Sequence, residues 1–290
     1  NMWKIAALVG IMSLADMPAI CLYFLSKEGV TMFKAEQLRT RFANGELVVG
    51  GAVGLTDHVS AEALGFLGAD FVWIDGEHAP FDKRTILDHI TAIDATSAAS
   101  IVRVPWNDPV IIKPILEMGP DGILCPMVNT VEQAEKFVAA CTYPPRGIRG
   151  FGPRRAAHYG SISDSEYIAT ANSRLLRMIQ IEHVEAVKNL EAICDVPGID
   201  LLIIGPHDLS GSMGILAQMR HPELLAMFDH ITTVCRKKGK PFGVAIGPHQ
   251  PTIEEWVKRG ICFLNCGNDI AFINVGARQT INFARSLAPK

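Results

Sequence analysis

Short apolar runs alternate with helix-length amphipathic segments eight times along this 290-residue chain, and that rhythm restricts the fold more than any other feature. The runs fall at Leu47–Gly54, Asp70–Asp75, Ser100–Val104, Gly122–Val128, Leu176–Glu182, Asp200–Gly205, Phe242–Ile246 and Cys262–Cys266. Between them lie segments with helical spacing: Ser60–Leu67, Lys83–Ala95, Pro109–Met118, Thr130–Cys141, Glu185–Cys194, Pro222–Lys238 and Thr252–Arg259. A polar helix from Phe33 precedes them, and a closing helix from about Ala271 to Ala288 follows. Strands separated by helices imply parallel pairing. The continuous apolar stretches FVWI, GILCPMV and LLIIG fit strands covered on both faces. No Gly-rich dinucleotide fingerprint opens a helix, so the expected fold is α/β, a closed (β/α)₈ (TIM) barrel, not an open doubly wound sheet.

The barrel is expected over residues 32–290, after an apolar extension over residues 1–31. From Ile5 to Leu25 the extension is near membrane-spanning length, and with Lys4 it also looks like a short signal sequence. Asp16 and Pro18 interrupt it, which favours an apolar helix packed on the domain or on a partner subunit. A membrane partner is therefore not expected, and Met32 is an alternative start. Seven scattered cysteines without metal-finger spacing read as reduced thiols in a cytoplasmic protein. The formal net charge of -3, without a basic patch interleaved with aromatics, argues against nucleic acid.

In a (β/α)₈ barrel the chemistry sits at the carboxyl ends of the strands. Here the second strand ends in Asp75-Gly76-Glu77-His78 and the third carries Arg103. The fifth ends in Gln180-Ile181-Glu182, and the sixth runs into Gly205-Pro206-His207-Asp208. Glu182 and Asp208, on adjacent strands without a neighbouring Cys or His in zinc-like spacing, form a hard oxygen site. Such a site suits a divalent metal, Mg2+, Mn2+ or Co2+, that keeps waters and accepts oxygens from a 2-oxo acid. Asp75 beside His78 suggests a paired acid/base. Glu77 either orients a water or braces the loop. Arg103 offers a fork for a carboxylate or an enolate oxygen. The lysines Lys83, Lys113, Lys136, Lys188, Lys237, Lys238, Lys240 and Lys258 fall on helices or their ends, which disfavours imine catalysis. The loop TYPPRGIRGFGPRRAAHYG, with Arg146, Arg149, Arg154 and Arg155, reads as an anion lid, a subunit contact or a solvated loop.

Six motifs, DGEHAP (Asp75–Pro80), VRVPWNDP (Val102–Pro109), PMVNTVEQA (Pro126–Ala134), YPPRGIRGFG (Tyr143–Gly152), QIE (Gln180–Glu182) and IGPHDLS (Ile204–Ser210), resemble the HpcH/HpaI aldolase family in order and spacing. The resemblance covers about Phe33 to Arg285. It implies a class II aldolase of the phosphoenolpyruvate/pyruvate barrel superfamily, acting on a small 2-oxo acid and an aldehyde. By position it makes Glu182 and Asp208 the metal ligands, His78 with Asp75 the acid/base, and Arg103 the enolate-stabilising residue. It makes Gln180 a pyruvate-pocket residue, with backbone N–H groups near His207 and Asp208 receiving the pyruvate carboxylate. It also implies a homo-oligomer, a hexamer or trimer of dimers, whose last helix packs on a neighbouring subunit. Two positions depart from the pattern: His207 stands where the family has a small residue, and Ala52 where relatives often carry an aromatic. The alternatives are a macrophomate-synthase-like enzyme that decarboxylates oxaloacetate, and a non-catalytic assembly barrel.

Overall fold

The computed structural model describes residues 32–288, so the expectations for the apolar extension lie outside the described residues. Eight parallel strands close on themselves in sequence order, β1 (Val48–Val53), β2 (Phe71–Asp75), β3 (Ala99–Arg103), β4 (Gly122–Cys125), β5 (Leu176–Ile181), β6 (Leu201–Ile204), β7 (Phe242–Ala245) and β8 (Phe263–Asn268). The closed barrel is the expected fold.

Helices separate the strands. A preceding helix α1 (Lys34–Ala43) is followed by α2 (Val59–Phe66), α3 (Lys83–Asp94), α4 (Pro109–Glu117), α5 (Val131–Cys141) and α6 (Asp164–Thr170). After β5 come two short helices, α7 (Val184–Lys188) and α8 (Leu190–Asp195), in place of the single one expected. The short α9 (Pro206–Ser212), then α10 (Pro222–Lys238), α11 (Gln250–Lys258) and α12 (Asp269–Ser286) complete the order. Local chemistry sets several starts. Asp82 accepts the Thr85 N–H (2.8 Å) at the head of α3, and Asp108 accepts the Val110 N–H (2.7 Å) at the head of α4. At α5, Thr130 accepts the Gln133 N–H and the Gln133 side chain reaches back to the Asn129 N–H (2.6 Å), close to the expected box. Gly239, at φ 62, ends α10 in the left-handed conformation that glycine adopts without strain.

Two apolar layers follow from alternation along each strand. Outward residues such as Val72, Ile74, Val102, Ile179 and Ile204 pack beneath the helices. Inward residues, among them Phe71, Trp73, Ile101, Leu124, Met178, Ile203 and Phe263, fill the barrel. Phe71 and Phe263 stack with centroids 4.0 Å apart, closing the interior below its carboxyl end. With that floor sealed, polar strand-end residues share a single mouth.

The arginine-rich loop is tied down at two points. Arg149 is buried, its guanidinium 4.4 Å from the Tyr143 ring centroid, donating to Tyr167 Oη (3.0 Å) and to Glu117 (3.4 Å). Arg155 bridges the Met118 carbonyl (2.7 Å) and Asp94 (2.5 Å). These two side chains anchor the loop to α3 and α4, which answers the lid reading for them. The six described cysteines are free thiols. Among the described residues no helix is long and apolar enough to cross a membrane.

Candidate active site

Four strands supply one connected polar chain at the mouth. Arg103, at the end of β3, pairs with Asp75 at the end of β2 through Nε–Oδ1 (3.0 Å) and Nη2–Oδ2 (2.6 Å). Its Nη1 lies 2.9 Å from Glu77 and 3.3 Å from Gln180 Oε1. Gln180 in turn donates from Nε2 to Glu182 Oε2 (2.6 Å), and Glu182 Oε1 accepts the backbone N–H of Met127 (2.7 Å). Gln180 and Glu182 are buried. Polar side chains this deep are retained only when paired, and these are.

One expectation needs correcting. The His78 and Asp75 side chains are not paired. Asp75 is committed to Arg103 and also accepts the N–H groups of Glu77 (3.1 Å) and His78 (3.2 Å) through Oδ1. The His78 ring sits at the rim, largely exposed, with Nε2 3.7 Å from Glu77 Oε2. The reason is competition: a planar guanidinium matches a carboxylate with two parallel hydrogen bonds, which a neighbouring imidazole cannot offer. Glu77, whose role the sequence left open, lies between Arg103 and His78. It is half-buried, and burial raises its carboxyl against the lowering effect of Arg103.

Sequence reasoning missed two positions. Met127, just beyond β4, has φ 52, a left-handed conformation uncommon outside glycine, and in it the Met127 N–H reaches Glu182. Nothing in the local sequence signals this. Gly205 carried a signal that went unread: a Cβ there would lie 2.6 Å from Glu182 Oε2 and 3.5 Å from Gln180 Nε2. Only glycine lets β6 pass this close to the Glu182 carboxylate.

Asp208 lies in the first turn of α9 and is exposed. His207 beside it is also exposed and lines a side cavity of about 180 Å³ with His249, Arg220 and Trp256. Glu182 carries the clearest electrostatic strain. Burial pushes its carboxyl up to about 7, and the charges of Asp208 and Glu77 push the same way, against the Met127 N–H and Arg103. Asp75 and Glu77 pair with the Arg103 guanidinium, and the charges of Glu77 and Asp208 act on Glu182. Such an excess of carboxylate oxygen suits a hard divalent cation. Among the described residues no three His, Cys, Asp or Glu side chains group to hold a metal. Among the described residues no strand carries a lysine.

Known proteins resemble this chain over most of its length. The sequence profile of the family described as HpcH/HpaI aldolase/citrate lyase matches residues 53–273. The 5-keto-4-deoxy-D-glucarate aldolase of Klebsiella pneumoniae is 35% identical over 235 residues, 81% of this chain and 91% of that protein. The 4-hydroxy-2-oxo-heptane-1,7-dioate aldolase of Salmonella paratyphi C is 39% identical over 227 residues, 78% of this chain and 85% of that protein. A Burkholderia cenocepacia HpcH/HpaI aldolase/citrate lyase family protein superposes with a TM-score of 0.83 at 29% identity, covering 86% of this chain and 99% of its own.

Proposed function

The chain belongs to the HpcH/HpaI aldolase/citrate lyase family, and on that footing we propose that it is a carbon–carbon lyase, a class II pyruvate aldolase. It cleaves, or forms, 4-hydroxy-2-oxo acids to give pyruvate and an aldehyde. The observation that carries the reading is the connected set Asp75–Arg103–Gln180–Glu182, with Glu77 and Asp208 beside it, at the carboxyl ends of adjacent strands.

In this reading Glu182 and Asp208 hold a divalent metal. When bound, the metal acts as a Lewis acid that polarises the substrate's keto group. The protein's own residues do the rest. Asp75 fixes the Arg103 fork at the mouth, beside the keto oxygen. Gln180 and the Met127 N–H fix the Glu182 carboxylate. The first-turn N–H groups of α9 near His207 and Asp208, which have no partner within the helix, donate to the substrate carboxylate. His78 at the rim removes the 4-hydroxyl proton. The C3–C4 electron pair then moves into the C2–C3 bond as the aldehyde leaves, and Arg103 stabilises the enolate oxygen. Protonation at C3 gives pyruvate.

The proposal includes self-association. In and just beyond α12 the apolar side chains Ile273, Val275, Ile281, Phe283 and Leu287 are exposed, and Asp269 is that helix's only buried residue. Apolar side chains left exposed along that length suit burial against a second copy of the chain.

The test is pyruvate release from a panel of 4-hydroxy-2-oxo acids and from oxaloacetate, in EDTA and after adding Mg2+, Mn2+ or Co2+. Metal-dependent release from the hydroxy-oxo acids supports the aldolase. Release from oxaloacetate alone favours the decarboxylating alternative. No release with any metal, from folded protein, overturns the reading.

A further inference from the structure

The segment after Glu182 departs from its own apolar pattern. Ala186, Val187, Leu190, Ile193 and Cys194 are buried, and they are spaced as one continuous helix would space them. The chain nonetheless breaks at Asn189, which lies between α7 and α8 with φ -94 and ψ 3. Core burial does not require that break. Asn189 also stands at the N-cap of α8 without capping it, although asparagine is among the preferred N-cap residues.

The side chain is used elsewhere. Asn189 Nδ2 donates to the Asn129 carbonyl (2.8 Å), on the loop after β4. The Asn129 N–H is in turn accepted by Gln133 Oε1 (2.6 Å). Asn129 comes two residues after Met127, whose N–H holds Glu182 Oε1. At the head of α7 the Val184 N–H, left without a partner inside the helix, donates to Ser212 Oγ (3.1 Å). Ser212 is the last residue of α9, and its hydroxyl donates to the carbonyl of Leu209 (2.7 Å), next to Asp208. Val184 comes two residues after Glu182. A helix of five residues thus ties the Glu182 segment to α9, which carries Asp208, and to the loop that carries Met127.

We propose that Ser212 and Asn189 are positioning residues that fix the spacing of the Glu182 and Asp208 carboxylates, and so favour a small divalent cation over Ca2+. The inference rests on the reading of those two carboxylates as metal ligands, and it specifies what makes the site selective. Small ions such as Mg2+ demand near-octahedral geometry, whereas Ca2+ accepts larger and more irregular shells. Carboxylates held at one spacing serve the first kind, and carboxylates free to drift serve the second. Both residues act through the backbone on either side of Glu182, with no part in proton transfer.

The experiment is calorimetric titration of the metal-free protein with Mn2+, the probe for the smaller ion, and with Ca2+. Wild type, Ser212→Ala, Ser212→Thr and Asn189→Asp are compared, with thermal unfolding followed alongside. Aspartate caps α8 as well as asparagine does but cannot donate to the Asn129 carbonyl. Ser212→Ala and Asn189→Asp are expected to lower Mn2+ affinity about tenfold, and with it the ratio of Mn2+ to Ca2+ affinity. Ser212→Thr, which keeps the hydroxyl, retains the ratio. A lower melting temperature with an unchanged ratio marks a structural role and overturns the proposal. Equal losses in Ser212→Ala and Ser212→Thr overturn it as well. If Asn189→Asp fails to fold, the two Ser212 variants decide. A folded wild type that binds no Mn2+ overturns the metal reading instead, so the two failures are distinct.

Discussion

Asp75 and Arg103 form a two-point ion pair, Nε–Oδ1 at 3.0 Å and Nη2–Oδ2 at 2.6 Å, in which the carboxylate orients the guanidinium and not the imidazole three residues on. Both side chains are largely shielded, at 17% and 11% exposure, so the pair is weakly screened. Asp75→Asn keeps the shape and removes the charge. The expected result is a loss of about 10²-fold in kcat, as for other misplaced electrostatic groups. An undiminished kcat in steady-state kinetics would mean that Asp75 does not position Arg103.

Gly205 sets the approach of β6 to the Glu182 carboxylate. In Gly205→Ala the new methyl, 2.6 Å from Oε2, forces Glu182 or β6 to move. Metal affinity, read by calorimetric titration with Mn2+, is expected to fall about 10- to 100-fold, while the circular dichroism spectrum stays that of a folded barrel. Undiminished Mn2+ affinity would detach Glu182 from metal binding.

Asp121 gives the protein a pH-dependent stability that does not involve the mouth. It sits just before β4, accepting from Ser100 N (2.9 Å) and Oγ (3.2 Å), and burial pushes its carboxyl up to about 6. The folded value exceeds the unfolded value of about 3.9. Its contribution is therefore fully present below that unfolded value and is lost as pH rises through 6. Each shifted unit carries about 1.4 kcal/mol. Urea denaturation from pH 4 to pH 7 is expected to show this decline, shallower in Asp121→Asn. An equal slope in that variant would assign the effect elsewhere.

The exposed apolar side chains of α12 predict association. Phe283→Asp, which charges a side chain with 66% exposure, should lower the mass measured by light scattering without unfolding the barrel. A wild-type mass of one chain would remove the interface from the account.

Much of this was legible in the sequence because the barrel rests on local periodicity, and apolar runs such as FVWI and LLII lie on the strands where alternation placed them. The errors arise where tertiary contacts override local pattern. The fourth run was expected to continue to Val128, but β4 stops at Cys125 so that Met127 can turn its N–H to Glu182. Glu182, Gln180, Arg103 and Asp75 could be named because ionisable groups at the ends of apolar strands stand out. Their partners could not, since His78 is three residues from Asp75 while Arg103 is on another strand.

Exchange of the methyl protons of pyruvate with deuterated water, followed by proton NMR, tests the central claim most directly, because it isolates enolate formation from any choice of aldehyde. The account predicts exchange that requires a divalent metal, is abolished by EDTA, and is nearly lost in Arg103→Ala and Glu182→Gln. Folded wild-type protein that catalyses no exchange with Mg2+, Mn2+ or Co2+ would contradict it.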